Sequence, residues 1–335
     1  MAVTIKEVAK AAGVAPSTVS RVLKDNPSIS RETKEKVQAV MKRLGYVPNV
    51  AAQNLVNRRS NIYAVIMPPF KRKEASSEPF FIDILMAISQ EALKYNKTIS
   101  VVAGSNSEEL LATVQLMNRQ KRVDAFIMLY SSEKDPVIDY LYQEKVVFTI
   151  VGRPVERANE ISYVDNDNVL LGQTATEYLI EKGHRDIAFV TNHESNHISK
   201  SRYNGYAIAT MQRGLLTHGE FLLVNSMDYI EFIKKLESNQ ITAIFAIDDL
   251  FAIRLVQLLA YNGLHVPDDV SVISTNNSAI ATTIHPYLTS IDIDVNELGK
   301  SAIQLILQQE ENETKIPKLI ISHQIIERES VKKRN

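Results

Sequence analysis

The sequence predicts a small helical head followed by a larger α/β body of two lobes, each built on a doubly wound parallel sheet. Three observations predict this division. Residues 1–47 hold three short segments whose apolar residues recur every three or four positions, which is typical of amphipathic helices. From residue 61, apolar runs of strand length alternate with helical stretches, which is typical of a parallel sheet covered on both faces. The alternation starts again after residue 168, which indicates a second, similar lobe.

Length and composition exclude several classes of protein. The chain has 335 residues, more than one hydrophobic core usually serves, and no cysteine, which excludes disulfides and cysteine-based metal sites. Its seven histidines are scattered without carboxylates at metal spacing, so we expect no metal and no other cofactor. No apolar run reaches the ~18 residues of a membrane helix, and the amino terminus lacks a secretory apolar segment. We therefore expect a cytoplasmic protein without a membrane partner.

The charge of the chain is divided unevenly between head and body. The formal net charge is −1, but residues 1–60 carry 11 basic and 4 acidic side chains, whereas the remainder carries 27 basic and 35 acidic ones. A basic head on an acidic body indicates a polyanionic partner for the head. A basic, solvated helical surface would give the same balance, and charge alone leaves both interpretations open.

The head has the start and stop signals of a helix-turn-helix. Thr4 and Glu7 stand three residues apart, as in a capping box, and predict the start of the first helix. Gly13 predicts its end, because glycine adopts the left-handed conformation of a helix terminus without steric cost. Pro16 suits the first position of the second helix, and Ser30 begins a third helix that braces the pair.

The second helix carries the side chains best suited to read DNA. In a helix-turn-helix the amino-terminal residues of this helix point into the major groove, and its outward face here is Pro16, Ser17, Ser20, Arg21 and Lys24. Arg21 can donate two hydrogen bonds to guanine. Ser17 can bond to a base edge or to phosphate, and Thr18 and Ser20 are better placed for phosphate. Periodicity alone would also fit a three-helix head that does not bind DNA.

The segment TIKEVAKAAGVAPSTVSRVLKDNPSISRETKEKVQAVMKRLGYVPNVAAQNL resembles the headpiece of the LacI/GalR repressor family almost position by position. The combination of V-x-x-x-T-V-S-R-V with a later G-Y-x-P-N is highly specific. The resemblance continues through the body to a terminal strand near Ile326. It implies a body like that of periplasmic sugar-binding proteins, a homodimer, a pseudo-palindromic double-stranded DNA operator and a small-molecule effector.

The resemblance also assigns a role to the segment after the head. In the family, a short hinge helix folds only when two copies meet in the minor groove, where a leucine from each wedges into the central base step. Leu55 matches that leucine, although it could instead anchor the linker to the body. We therefore divide the chain into a DNA-binding head (1–47), a hinge helix and linker (48–60) and an effector-binding and dimerisation body (61–335). The predicted DNA contacts are Thr4, Pro16, Ser17, Thr18, Ser20, Arg21, Asn49, Ala52, Gln53 and Leu55.

Polar residues at the ends of the predicted strands indicate the effector cleft. Doubly wound lobes bind ligands at the carboxyl ends of their strands, between the lobes. Tyr130, Asp248, Asp249 and Asn276 stand at such ends. Asp248 and Asp249 match the family's N-D and Asn276 its F-D-D position, but the acids could cap the next helix and the asparagine could turn the chain.

Two more candidate contacts come from the resemblance. Arg202, in S-R-Y-N-G-Y, matches the family's R-x-x-G-Y/F, whose arginine binds ligand hydroxyls or a carboxylate. Phe81 belongs to a segment that matches the family's N-P-F-F, with Glu78 in place of the usual asparagine. An aromatic ring there can stack on a sugar, although Phe81 could equally be a core residue.

Details such as STNNSAIATTIHPYLTSIDI and YVDNDN resemble the maltose-repressor branch of the family. They imply maltose or a maltooligosaccharide as effector. A catabolite-control regulator with a phosphoprotein co-effector is an open alternative, and the sign of the response is not determined. A sugar-transport protein would lack the head, and the sequence has no G-x-x-x-x-G-K, G-x-S-x-G or G-x-G-x-x-G motif of an enzyme. We therefore expect a repressor and not an enzyme.

Overall fold

The computed structural model describes residues 3–23, 25–46, 60–69, 79–192, 197–238, 241–312 and 316–334. The chain divides into two compact units, Met1–Ser60 and Asn61–Asn335. The predicted hinge segment, with Asn49, Ala52, Gln53 and Leu55, lies outside the described residues. Its helix and its DNA contacts stay predictions.

The head is a bundle of three helices around a small apolar core. Both predicted starts are present: Thr4 accepts a hydrogen bond from the Glu7 amide in a complete capping box, and Ser30 accepts one from the Thr33 amide. Gly13 ends the first helix with a φ of 66°. The helices are α1 (Ile5–Ala12), α2 (Pro16–Leu23) and α3 (Arg31–Leu44). Their buried apolar residues are Val8, Ala9, Ala12, Val19, Val22, Val37 and Val40.

The first lobe of the body is a six-stranded parallel sheet with helices against both faces. Its strand order is β11-β5-β4-β3-β1-β2. The strands are β1 (Ile62–Ile66), β2 (Thr98–Val102), β3 (Ala125–Met128), β4 (Phe148–Val151), β5 (Ser162–Asn166) and β11 (Lys318–Ile321). The helices are α4 (Pro79–Lys94), α5 (Ser107–Arg119), α6 (Pro136–Gln143) and α11 (Val295–Glu311).

The second lobe repeats this plan with one antiparallel edge strand. Its sheet has the order β12-β10-β9-β8-β6-β7, and β12 runs antiparallel to β10. The strands are β6 (Ile187–Thr191), β7 (Glu220–Leu222), β8 (Ala243–Ala246), β9 (Ser271–Thr275), β10 (Thr289–Asp292) and β12 (Gln324–Ile326). The helices are α7 (Asn168–Glu181), α8 (His197–Gln212), α9 (Ser226–Ser238) and α10 (Asp249–Tyr261). The predicted two-lobed α/β class is confirmed.

The chain passes between the lobes three times. The first crossing leads from β5 to α7, the second from β10 to α11, and the third from β11 to β12. Asn166, which is buried, ends the strand before the first crossing. Its side-chain amide donates 3.0 Å hydrogen bonds to the carbonyl of Ile293 in the second crossing and to that of Ile321 at the third. One side chain therefore joins all three crossings.

Three strands, β5, β10 and β11, were not predicted from the sequence. β5 reads Ser-Tyr-Val-Asp-Asn, which breaks the apolar run expected of a buried parallel strand, yet all five residues are buried. Strand β7 is only three residues long, from Glu220 to Leu222. Within the described residues, no helix is long and apolar enough to cross a membrane.

Candidate functional site

The exposed face of α2 contains the predicted DNA-reading side chains. Val19 and Val22 are buried in the head core, which fixes the orientation of this helix. Pro16, Ser17 and Arg21 are exposed on its other side, and Thr18 and Ser20 are partly exposed. Within the described part of the head, the Arg21 guanidinium makes no hydrogen bond and no ion pair, so it is available to a ligand. Thr4 is exposed too, but its hydroxyl and amide are engaged in the capping box.

In the body, a small pocket lies between the amino terminus of α4 and the strand ends of the second lobe. Its lining combines one aromatic ring with carboxylate, amide and hydroxyl groups. The lining residues are Pro79, Phe80, Asp248, Asp249, Leu250, Asn276 and Ser278. Three of the six predicted effector contacts, Asp248, Asp249 and Asn276, are therefore brought together, at the carboxyl edge of a sheet as expected.

Phe80, and not the predicted Phe81, lines this pocket. The two rings touch edge to face, with centroids 5.4 Å apart. Phe81 is 9% exposed and belongs to the apolar core. Neighbouring residues on a helix point about 100° apart, so only one of them can face the pocket. The structure therefore favours the core interpretation of Phe81.

Arg202 lies behind the pocket as the centre of a buried polar network. Its Nε donates to Asn168 Oδ1 at 3.0 Å, and its Nη1 donates to the Ile247 carbonyl at 2.7 Å and to Thr275 Oγ1 at 2.6 Å. Its Nη2 makes no hydrogen bond within the described residues. Thr275 precedes the pocket residue Asn276, so Arg202 holds the pocket wall. Asn168 and Thr275 were not among the predicted contacts, although Asn168 lies in the quoted segment YVDNDN.

Two glycines bring α7 and α8 close enough to place Arg202 in this network. A Cβ on Gly172 would lie 2.1 Å from the Arg202 carbonyl oxygen, and one on Gly205 would lie 2.0 Å from the Val169 carbonyl oxygen. Such distances exclude any larger residue without a shift of the backbone. The glycine of the predicted R-x-x-G-Y motif is therefore a packing residue that fixes the position of the arginine.

Three carboxylates lie around the buried guanidinium of Arg202. Burial lowers the pKa of Arg202 to about 10, and the charges of Asp248, Asp165 and Asp249 act in the opposite direction. Burial also raises the pKa of Asp165 to about 6, against hydrogen bonds from the backbone of Asn166 and Arg153. The network thus contains more acidic than basic groups, so it does not offer an excess of positive charge to a ligand.

The two predicted aspartates have different surroundings. Asp248 caps α10, and its Oδ1 accepts a 2.8 Å hydrogen bond from the Phe251 amide.

Asp249 is buried, and both of its oxygens accept hydrogen bonds. Ser274 and Ser290 donate to Oδ1 at 2.5 and 2.7 Å, and the amide and hydroxyl of Ser278 donate to Oδ2 at 2.7 and 2.8 Å. Burial raises the pKa of Asp249 despite these bonds. The arrangement joins three segments around one carboxylate, which gives Asp249 a structural part at the pocket.

Tyr130 is placed away from this pocket. Its ring packs against the apolar cluster beneath α5 and α6, and its hydroxyl is buried without a hydrogen-bond partner in the described structure. Burial and the nearby charge of Asp135 raise the pKa of the phenol. The position of Tyr130 therefore gives no support to its prediction as an effector contact. Within the described residues, no cluster of His, Asp and Glu could hold a metal ion.

Comparison with known proteins gives the family. A family model described as "Bacterial regulatory proteins, lacI family" matches residues 4–49, and one described as "Periplasmic binding protein-like domain" matches residues 176–331. The HTH-type transcriptional regulator MalR of Streptococcus pneumoniae is 35% identical, over 98% of this chain and all of that protein. This chain belongs to the lacI family.

Solved structures of other regulators share the fold. A transcriptional regulator described as a CelR–cellobiose complex has a TM-score of 0.73 and 27% identity, over 98% of this chain and 99% of that one. A lac repressor dimer bound to operator and an anti-inducer has a TM-score of 0.81 and 22% identity, over 99% of this chain and 100% of that one. The fold is thus common to all three, and the match to MalR over the full length shows that the chain is a transcriptional regulator.

The raised pKa of Asp165 predicts a specific pH dependence of stability. Because the folded-state pKa of about 6 exceeds the ordinary value of 3.8, the folded state binds more protons between these pH values, and stability falls as pH rises from 4 to 6. We expect Asp165→Asn to remove this slope. Between pH 4 and pH 7, the unfolding free energy of the variant should gain roughly 2–3 kcal/mol relative to wild type, as followed by urea denaturation.

Asp228 is the control, because its pKa is shifted in the opposite direction. Hydrogen bonds from the backbone of Asn225 and Val224 lower the pKa of the exposed Asp228. Its contribution to stability is therefore present above its ordinary pKa and is lost as pH falls. Asp228→Asn should lose stability relative to wild type as pH rises. Parallel pH profiles of wild type and Asp165→Asn would contradict the assignment.

Proposed function

We propose that this lacI-family regulator is a cytoplasmic repressor that binds a pseudo-palindromic DNA operator as a homodimer and is controlled by a neutral sugar. The effector that we propose is maltose or a maltooligosaccharide. The protein has no catalytic part in this proposal. The observation that carries it is the charge and chemistry of the pocket at Phe80, Asp248 and Asn276.

The charge around the pocket favours a neutral ligand. Among the described residues, Arg202 is the only basic side chain of this network, and its guanidinium lies near Asp165, Asp248 and Asp249. Two of its donor groups are already engaged by the protein. A phosphate or carboxylate at this edge would meet the carboxylates of Asp248 and Asp249, which repel a further negative charge. A polyol would not meet this repulsion, because it is uncharged and its hydroxyls can both donate to carboxylates and accept from amides.

The shape of the pocket lining favours a sugar ring. Phe80 supplies a flat apolar surface, while Asp248 and Asn276 supply an acceptor and a mixed donor and acceptor on the other side. An apolar face with a few directed polar groups is the usual composition of a small-molecule site. The names of the relatives agree with this class of ligand, since one is a MalR and another forms a complex with cellobiose.

The effector assignment is tested by titrating the full chain with maltose, maltotriose, cellobiose, glucose 6-phosphate and purines, with melting temperature as the readout. A ligand specific for the native state stabilises it by about 2.7 kcal/mol at a hundredfold excess over Kd. We expect a shift with maltose or maltotriose that Phe80→Ala reduces by raising Kd about tenfold, since a buried aromatic contact is lost. Tyr95→Ala, at the other end of α4, is the matched control and should bind normally.

Other outcomes of this titration point elsewhere. No shift with any sugar would contradict the sugar effector and favour a phosphoprotein co-effector. A shift with maltose that Phe80→Ala leaves unchanged would contradict the assignment of this pocket as the effector site.

The dimer is supported by an apolar stripe on α4. Ile82, Met86 and Leu93 are 62%, 56% and 61% exposed and lie on one face of the helix. Exposed apolar side chains at helical spacing are typical of a surface that a partner covers. The partner that we propose is a second copy, because a relative of the same fold is described as a dimer on its operator.

This surface predicts the effect of a charge on the stripe. Met86→Glu should convert the dimer to a monomer in sedimentation velocity, because a carboxylate would be buried without a partner in the interface. Met211→Glu introduces the same charge at an apolar side chain of α8 that is 71% exposed, and should leave the dimer intact. A dimeric Met86→Glu protein would argue against α4 as the interface.

DNA recognition predicts a selective effect at α2. Arg21→Ala should weaken binding to an operator selected from random DNA about 10- to 100-fold, because a bidentate contact to guanine contributes roughly 1–3 kcal/mol of discrimination. Binding to unrelated DNA should change only a few-fold. Arg31→Ala removes an equal charge from α3, where the arginine is 92% exposed and paired with Glu35, and should change both affinities alike. Equal losses for Arg21→Ala on both DNAs would make Arg21 a phosphate contact.

A further inference from the structure

Helix α11 joins two distant parts of the body. Its amino terminus follows the second crossing, where Asp294 accepts a 3.0 Å hydrogen bond from the Glu297 amide and caps the helix. Its carboxyl end lies against β1, the first strand of the body. A helix of 17 residues is about 25 Å long, so α11 connects groups far beyond the reach of one side chain.

The amino-terminal end of α11 is linked to the candidate effector pocket. Asn277, next to the pocket residue Asn276, donates a 3.2 Å hydrogen bond to Asp292, whose other oxygen accepts a 2.9 Å bond from the Asp294 amide. Asn166 holds the Ile293 carbonyl from the first crossing. A change in the angle between the lobes must therefore move the start of this helix.

α11 cannot move alone, because it packs very closely on α4. A Cβ on Gly299 would lie 2.6 Å from the Ala87 Cβ and 2.9 Å from the Ile88 amide nitrogen. At the amino terminus of α4 stands Phe80, on the pocket. The two helices therefore form one packed layer that touches the pocket at two places.

The carboxyl-terminal end of α11 is tied to the first residue of the body by a chain of polar contacts that is buried at Tyr63 and Lys97 and exposed at Asn61. Tyr63, fully buried in β1, donates a 2.9 Å hydrogen bond to Glu310. Lys97 lies 3.7 Å from the same carboxylate oxygen, 2.8 Å from Asp124 and 4.7 Å from the centre of the Tyr63 ring. Asp124 in turn accepts a 2.9 Å hydrogen bond from the amide of Asn61, from which the predicted linker departs.

We infer that α11 transmits effector occupancy from the pocket to the start of the linker, and that the Tyr63–Glu310 hydrogen bond is its output contact. This inference rests on the proposed function, because it needs an effector that alters operator affinity. The contacts of Tyr63 and Lys97 have few alternatives, because a buried donor that loses its partner stays unsatisfied away from water. A shift of α11 therefore moves these side chains and, through Asp124, the backbone at Asn61. Tyr63 and Glu310 are positioning residues and do not touch effector or DNA in this scheme.

The test measures coupling as the ratio of operator Kd with and without saturating maltose, using the full chain and an operator duplex selected from random DNA. Tyr63→Phe deletes one hydroxyl and keeps the ring. We expect it to reduce the coupling ratio roughly fivefold, which corresponds to one buried hydrogen bond, while the Kd for maltose without DNA stays within about twofold. Tyr163→Phe is the matched control, because Tyr163 is buried on the opposite side of the same sheet, and it should keep the wild-type ratio.

A second variant separates this role from a general loss of stability. Glu310→Ala cuts the same contact from the helix side, so the double variant with Tyr63→Phe should be no worse than the more impaired single variant. A wild-type ratio in Tyr63→Phe, an equal loss in Tyr163→Phe, or additive losses in the double variant would each overturn the inference. A wild-type protein whose operator Kd ignores every sugar would instead contradict the proposed effector control, which is a different result.

Discussion

The triple connection between the lobes is the constraint on which the rest of the body depends. Three segments of chain must pass side by side through the region where the lobes meet, and each exposes backbone groups that no sheet pairs there. Asn166 satisfies two of these groups at once, with one bond to Ile293 and one to Ile321. A buried carbonyl without a donor would cost about 1–3 kcal/mol. By donating to two such carbonyls, the Asn166 side chain removes this cost where the crossings lie close together. Every group that lines the pocket is positioned relative to this junction.

The polar groups beside the pocket follow the same physical rule. Burial of Arg202, Asp165 and Asp249 is unfavourable, as the direction of each pKa shift shows. Each is nevertheless held by several hydrogen bonds, and the serines around Asp249 satisfy it from three different segments. Such networks fix geometry, because breaking one contact leaves a partner unsatisfied. A site built in this way is rigid at its back wall, while Phe80, on the neighbouring lobe, depends on the angle between the lobes.

Local signals in the sequence were enough for the head and for most helices. Capping at Thr4 and Ser30 and the glycine at position 13 act within one helical turn, so their effect can be read without knowing the fold. β5 could not be predicted in this way, because its serine and its carboxyl-terminal asparagine bond to partners more than a hundred residues away. Ser162 donates to the Pro317 carbonyl, and Asn166 bonds to the second and third crossings.

By itself, the sequence determined most of the elements, the division into head and body, the family resemblance and the polar residues at the strand ends. Only the tertiary structure decided which of them meet. It put Phe80 and not Phe81 on the pocket, placed Tyr130 elsewhere, and made Asp249 the centre of a serine cluster. The reason is physical, because periodicity and capping depend on neighbours within about four residues. Contacts across a cleft and the burial of a charge depend on segments that the whole fold brings together.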